Sequence, residues 1–201
     1  MKFKPMILCA LLTVLAIPAM GQIDPGPDGI GIYADMEAMT NAMDTGTGLF
    51  VELYVLVTGC TAEGGITAWE MSLHYEGPIT HAGYLIPYNH INVGIFPSFS
   101  VGNAQAVIPQ QPVMHLMTLN FLVLGTEPAD IYVRAAHAPS GGSMGNDLPV
   151  YINDTGDGSY TDLRNMYPSS GSVDLPVFRF NGAEPVATDS ATWSGVKAMF
   201  R

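Results

Sequence analysis

Apolar residues recur at every second position through most of this chain. Over residues 49–57, Leu49, Val51, Leu53, Val55 and Val57 alternate with Phe50, Glu52, Tyr54 and Leu56. That is the two-residue period of a strand with one face buried, and the odd positions are expected in the core. After Gly64-Gly65, a second run sets Trp69, Met71, Leu73 and Tyr75 on one face and Glu70, Ser72 and His74 on the other, ending at Gly77-Pro78. A third, over residues 113–124, opposes Met117, Leu119, Phe121 and Val123 to Thr118, Asn120, Leu122 and Leu124. The turn at 125–129 leads into Ile131, Val133 and Ala135, alternating with Tyr132 and Arg134, and the adjacency predicts a hairpin.

Shorter strands are predicted over residues 31–35, 82–86, 90–95, 99–101, 150–152 and 177–180, with Gly, Pro and Asn breaks between them. Residues 36–44 have no clean period and read as a loop or one helical turn. No helical period is sustained between the strands. The expected fold is therefore all-β, a single antiparallel β-sandwich over residues 22–182.

The two ends differ from this middle. Lys2 and Lys4 precede an apolar run from Met6 to Ile17, followed by Pro18 and the small residues Ala19 and Gly21, the layout of a signal peptide over residues 1–21. That run is shorter than the ~20 residues a bilayer span needs, and no second one follows. The expected location is secreted, extracellular or periplasmic, with no transmembrane segment. Residues 183–201 read as a linker and a short C-terminal helix in which Trp193, Val196, Met199 and Phe200 share an apolar face.

Composition narrows the function classes. With 48% hydrophobic and 12% charged residues, the chain has the means to build a core. Its net charge of −11, more negative still without Lys2 and Lys4, opposes nucleic acid and anionic membranes. Cys60 is the one cysteine beyond the leader, so no internal disulfide forms, and it reads as a half-buried thiol at a strand end.

The stretch Gly65-Ile66-Thr67-Ala68-Trp69-Glu70-Met71-Ser72-Leu73-His74-Tyr75-Glu76 resembles the cohesin-type segment in which Gly-Ile introduces an aromatic-rich strand ending in Tyr-Asp or Tyr-Glu. His115-Leu116-Met117-Thr118-Leu119-Asn120-Phe121-Leu122-Val123 resembles the later strand of that fold. The region up to Phe180-Asn181-Gly182 is also similar to uncharacterised secreted β-sandwich proteins of environmental bacteria. The resemblance implies a cohesin-like or Ig-like sandwich that binds a protein partner, a dockerin in cohesins, through one sheet face. It would put outward residues such as Glu70, Ser72, His74, Thr118 and Asn120 in the interface. Residues 79–112 and 137–176 depart from the cohesin pattern, so the partner's identity does not carry over.

Candidate chemistry is sparse. Gly141-Gly142-Ser143-Met144-Gly145 matches the G-x-S-x-G nucleophile elbow, but no strand leads into it, Pro149 follows where a helix belongs, and all five histidines precede Ser143. Those histidines, at 74, 81, 90, 115 and 137, have no metal-binding spacing. Asn153, Thr155, Asp157 and Asp162 are a calcium candidate, since oxygen ligands at short spacing around Gly156 and Gly158 suit that ion, although Arg164 occupies the place of the bidentate glutamate. Tyr84 and Tyr88 are candidate sugar-stacking rings. The expectation is a non-catalytic binding or assembly module with a protein partner, and the alternative is a carbohydrate-binding module for a polysaccharide.

Overall fold

The computed structural model describes residues 26–110, 112–137, 147–157 and 162–183. The leader, the Ser143 elbow and the expected C-terminal helix lie outside them. Among the described residues there are thirteen strands and no helix: β1 (Gly29–Tyr33), β2 (Ala42–Met43), β3 (Phe50–Thr58), β4 (Ile66–Glu76), β5 (Ile79–Leu85), β6 (His90–Asn92), β7 (Ser98–Val107), β8 (Val113–Val123), β9 (Ala129–Arg134), β10 (Val150–Asn153), β11 (Leu163–Asn165), β12 (Tyr167–Pro168) and β13 (Phe178–Phe180). No helix long and apolar enough to cross a membrane occurs among the described residues.

Two sheets face each other. One runs β12-β1-β3-β8-β5, and the other runs β11-β10-β4-β9-β13-β2 with β7 paired to β4 and β6. Most pairs are antiparallel, but β1 with β12 and β13 with β2 are parallel, so the expected antiparallel sandwich is in fact mixed. Between the sheets lie the alternating rows read from the sequence: Val51, Leu53, Val55 and Val57 from β3, Trp69, Met71 and Leu73 from β4, and Met117, Leu119, Phe121 and Val123 from β8. Leu49 is a correction, since it stands one residue before β3 and is exposed beyond the end of the core.

The predicted hairpin over residues 113–135 is also corrected. β8 pairs with β3 and β5, whereas β9 pairs with β4 and β13 in the opposite sheet. Residues 125–128 therefore carry the chain across the core. Alternation fixes which face of a strand is buried but says nothing about its neighbour. Among the described residues, sequence-adjacent strands pair only as β6 with β7 and β10 with β11.

The outer face of the five-stranded sheet is partly covered. Tyr33, Ala38 and Leu56 form a small second cluster with Tyr54 and Val113 packed on it. Gly31 allows this, because a Cβ there would stand 2.6 Å from the Tyr33 ring and 2.7 Å from Ser169 Oγ.

A polar network joins the start of the chain to β10 and β11. Buried Asp28 accepts hydrogen bonds from Tyr151 Oη (2.7 Å), Thr61 N (2.8 Å) and Thr61 Oγ1 (2.7 Å). Arg164 Nη1 donates to Thr61 O at 2.7 Å and to Thr61 Oγ1 at 2.9 Å, while Nη2 and Nε engage Asp162 at 2.6 and 3.1 Å. Burial pushes the Tyr151 hydroxyl well above its ordinary value, which keeps it a donor to Asp28. Cys60 is buried beside this network, and its thiol is pushed up by the same desolvation. Asp28→Ala is expected to destabilise the fold by roughly 2–4 kcal/mol, because it removes the shared acceptor of Tyr151 Oη, Thr61 N and Thr61 Oγ1, and Tyr151→Phe by about 1–2. Urea denaturation measures both, and a near-neutral Asp28→Ala would show that the network does not hold these segments.

Candidate functional site

The outer face of the eight-stranded sheet is hollowed into a trough of about 770 Å³. Strand register explains its shape. Ala68 pairs with Gly102 and Ile152, Glu70 with Ser100 and Val150, Gly102 with Ile91, and Ile152 with Leu163. Directly paired residues share a face, so Ala68, Glu70, Ser100 and Gly102 make a floor of mostly small residues. Larger side chains make the walls, Ile91 and Val93 on one side and Ile152 and Leu163 on the other.

Both walls are strands turned with their apolar side outward. On β10 and β11, Tyr151 and Arg164 pair on the inner side, where the polar network anchors them, leaving Ile152 and Leu163 outside. On β6, polar His90 and Asn92 flank Ile91, which is 71% exposed, as is Val93. Asn92 is held by accepting from Gly94 N (2.9 Å) and Ser100 N (3.2 Å) and by donating to Tyr84 Oη at 3.3 Å.

Glu70 is the charged group of the floor. Ser100 Oγ donates to its Oε1 at 2.8 Å, while its Oε2 is buried and receives no hydrogen bond from the described residues. A smaller trough of about 550 Å³, lined by Tyr88, Gln105 and Gln110, adjoins the main one and shares Asn89 and Ala104.

The residues singled out from the sequence are not gathered in one place. Glu70, Ser72 and His74 lie on β4, whereas Thr118 and Asn120 lie on β8 in the other sheet. Ser72 was expected outward and open but is buried: it donates to Ala135 O at 2.6 Å, and neighbouring Ser98 Oγ accepts from His137 N at 2.9 Å, so residues 135–137 cover this part of the face. Thr118 is likewise buried, bonded to His115 Nε2 at 3.1 Å. Asn120 is half-buried between Glu52 and Gly83. His74 meets Glu76 at 3.0 Å and the Tyr132 ring at 5.5 Å. Tyr88 reaches the smaller trough.

Tyr84 is part of an aromatic closure where β5 meets β7. Its ring stands edge-on to Phe99 at 5.0 Å and lies against His81 at 6.2 Å, and His81 stacks on Phe96 at 4.2 Å. The ring is nevertheless 42% exposed, packed on one side and open on the other. The calcium candidate is also answered by local partners. Asp162 gives both carboxylate oxygens to Arg164 and accepts from Asn153 Nδ2 at 2.7 Å, while the Thr155 hydroxyl donates to Asp157. Among the described residues no three His, Cys, Asp or Glu groups converge as ligands. Among the described residues of this loop, Asn153 Oδ1 is buried without a hydrogen bond. Alternation could have flagged the trough through Ile91 and Val93 on either side of Asn92, but the same pattern also describes a core strand.

Two outcomes follow. Adding millimolar Ca²⁺ is expected to leave the melting temperature unchanged, while Arg164→Ala lowers it; a calcium-dependent rise in the unaltered chain would overturn the assignment of Asp162 to Arg164. Burial holds the His81 imidazole below its ordinary pKa of about 6.5, against a weaker opposing hydrogen bond to the Gly83 backbone. The folded state thus prefers the neutral ring, and that stability is complete above pH ~6.5 and is lost as pH falls through the depressed folded value. In urea titrations at pH 7.5 and 5.5, His81→Phe should lose less stability on acidification than the unaltered chain; an equal loss would remove His81 as a source.

No protein-family model and no curated protein matches the chain. Among solved structures it is similar to cohesin domains. The sixth cohesin of scaffoldin B from Acetivibrio cellulolyticus, solved with a Cel5 dockerin, is 11% identical with a TM-score of 0.45, over 79% of this chain and 100% of that one. A third ScaB cohesin of R. flavefaciens, with a group 1 dockerin, is 11% identical at 0.46, over 78% and 95%. A type II cohesin from the cellulosome of Acetivibrio cellulolyticus is 11% identical at 0.48, over 78% and 96%. At that distance the dockerins named are those domains' partners, and no site residue passes from them to this chain.

Proposed function

We propose that this chain is an exported, non-catalytic binding module that engages a protein partner through the outer face of its eight-stranded sheet. The observation that carries the reading is the trough, whose two walls turn Ile91, Val93, Ile152 and Leu163 away from the core over a floor of small residues. An outward apolar row costs free energy in water and marks a surface that is covered in use. The signal-peptide layout of residues 1–21 supports a location of that surface outside the cytoplasm. Glu70 belongs to this interface and His74 lies along the same strand, whereas Thr118 and Asn120 belong to the opposite face and are set aside.

A second reading, polysaccharide binding, has one observation in its favour: the Tyr88 ring lies beside Asn89, Gln105 and Gln110, a ring next to amides that can bond sugar hydroxyls.

Affinity capture from native culture fluid separates the two. The immobilised mature chain is expected to retain a protein, to lose it in Gly102→Leu, which fills the floor, and to keep it in Phe50→Glu on the opposite sheet. Retention of polysaccharide in affinity electrophoresis, abolished by Tyr88→Ala and with no protein captured, would replace the protein-binding reading with the second.

A further inference from the structure

The trough has a chemical preference beyond being apolar. Glu70 Oε2 sits at its floor, buried and without a donor from the described residues, among Ala68, Ser100 and Val150. A carboxylate oxygen removed from water and left unpaired is costly, and a cation with N–H donors relieves it. The shape adds a second constraint. The main trough and the smaller one share Asn89 and Ala104 in their linings, so the aliphatic walls adjoin a recess that carries the amides of Gln105 and Gln110. Those amides both donate and accept, as an extended peptide backbone requires.

Resting on the protein-binding reading, we infer that the trough and its adjoining recess take an extended peptide segment of a partner, with a lysine or arginine side chain on Glu70 and aliphatic side chains against Ile91, Val93, Ile152 and Leu163. The net charge of −11 favours the approach of such a basic segment. An uncharged ligand could donate a hydrogen bond to Glu70 but would leave its buried charge uncompensated. A rigid ligand of small-molecule size would leave the amide-bearing recess empty.

The probe is a displayed library of random peptides about twelve residues long, selected against the mature chain. Enriched sequences should carry a Lys or Arg flanked by aliphatic residues, and a synthetic peptide of that consensus should bind in titration calorimetry. Replacing its basic residue with glutamine should weaken binding roughly tenfold to a hundredfold. This substitution needs no change to the protein, so folding cannot confound it. Glu70→Gln should weaken binding of the basic peptide to the same degree and add nothing to the peptide's own substitution. Glu70→Lys should bind the version with glutamate at that place. Gly102→Leu should abolish binding without disturbing the fold, since a Cβ there meets no heavy atom within 4 Å.

Enrichment without basic residues, an unchanged affinity in Glu70→Gln, or displacement of a neutral peptide by a soluble glucan oligosaccharide would each overturn the inference. If native capture still depends on Gly102 while the basic residue proves irrelevant, the protein-binding reading survives and the cationic occupant does not. If capture fails as well, both fall.

Discussion

Strand β4 has to satisfy backbone groups along two edges over eleven residues, and its partners divide the work. Glu70 pairs with both Ser100 and Val150, and Ser72 with both Ser98 and Arg134. β7 therefore occupies one edge, and β10 gives way to β9 along the other. The change of neighbour between residues 70 and 72 divides the outer face into two territories. Next to β9, residues 135–137 fold over Ser72 and Ser98 and bury them. Next to β10, nothing among the described residues lies over Ala68, and the face stays concave. The trough is thus a consequence of how β4 shares its edge.

That arrangement requires β10 and β11 to stay beside β4 although they are short and contribute few apolar groups inward. The Asp28, Thr61, Tyr151 and Arg164 network supplies the anchorage from within. Its members come from before β1, after β3, and β10 and β11, so four distant segments are fixed by one cluster of charged and hydroxyl groups. Each hydrogen bond contributes modestly to net stability, but an unmatched member would be expensive, which makes the cluster specific as well as stabilising. Because Tyr151 and Arg164 point toward it, the alternation of the same strands leaves Ile152 and Leu163 outside.

The rows legible in the sequence were those of the long strands. β3 and β4 alternate along their length and β8 does so from Met117 onward, and these core faces lie where the pattern puts them, whereas a register shift against β3 also buries Met114 and Leu116. Strand partners were not legible, since the chain crosses between sheets at almost every turn and pairing is set by contacts far apart in sequence. Ser72 and Thr118 illustrate the second limit. Polar residues opposite a core row face away from the core, but whether a loop then covers them depends on segments with no periodicity. The trough walls illustrate the third: β6 and β10 carry apolar residues at alternate positions that face outward, and alternation has no sign. Only the partner register assigns one.

The two walls are not held alike, and this bears on how an occupant would be accommodated. β10 and β11 are paired with β4 and tied through Tyr151 and Arg164 to buried acceptors, so Ile152 and Leu163 are presented on a preorganised support. β6 is three residues long and pairs with β7 alone; beyond that, its support comes from Asn92 and the contacts around Tyr88 and Tyr84. An edge strand with one neighbour and exposed aliphatic side chains opens at lower free energy than one locked by a charged network. Glu70 lies between them, fixed through Ser100 on β7. A segment entering the trough would therefore meet a firm wall and a fixed charge, which set its register, and a yielding wall at Ile91 and Val93, which closes against whatever aliphatic side chains it carries.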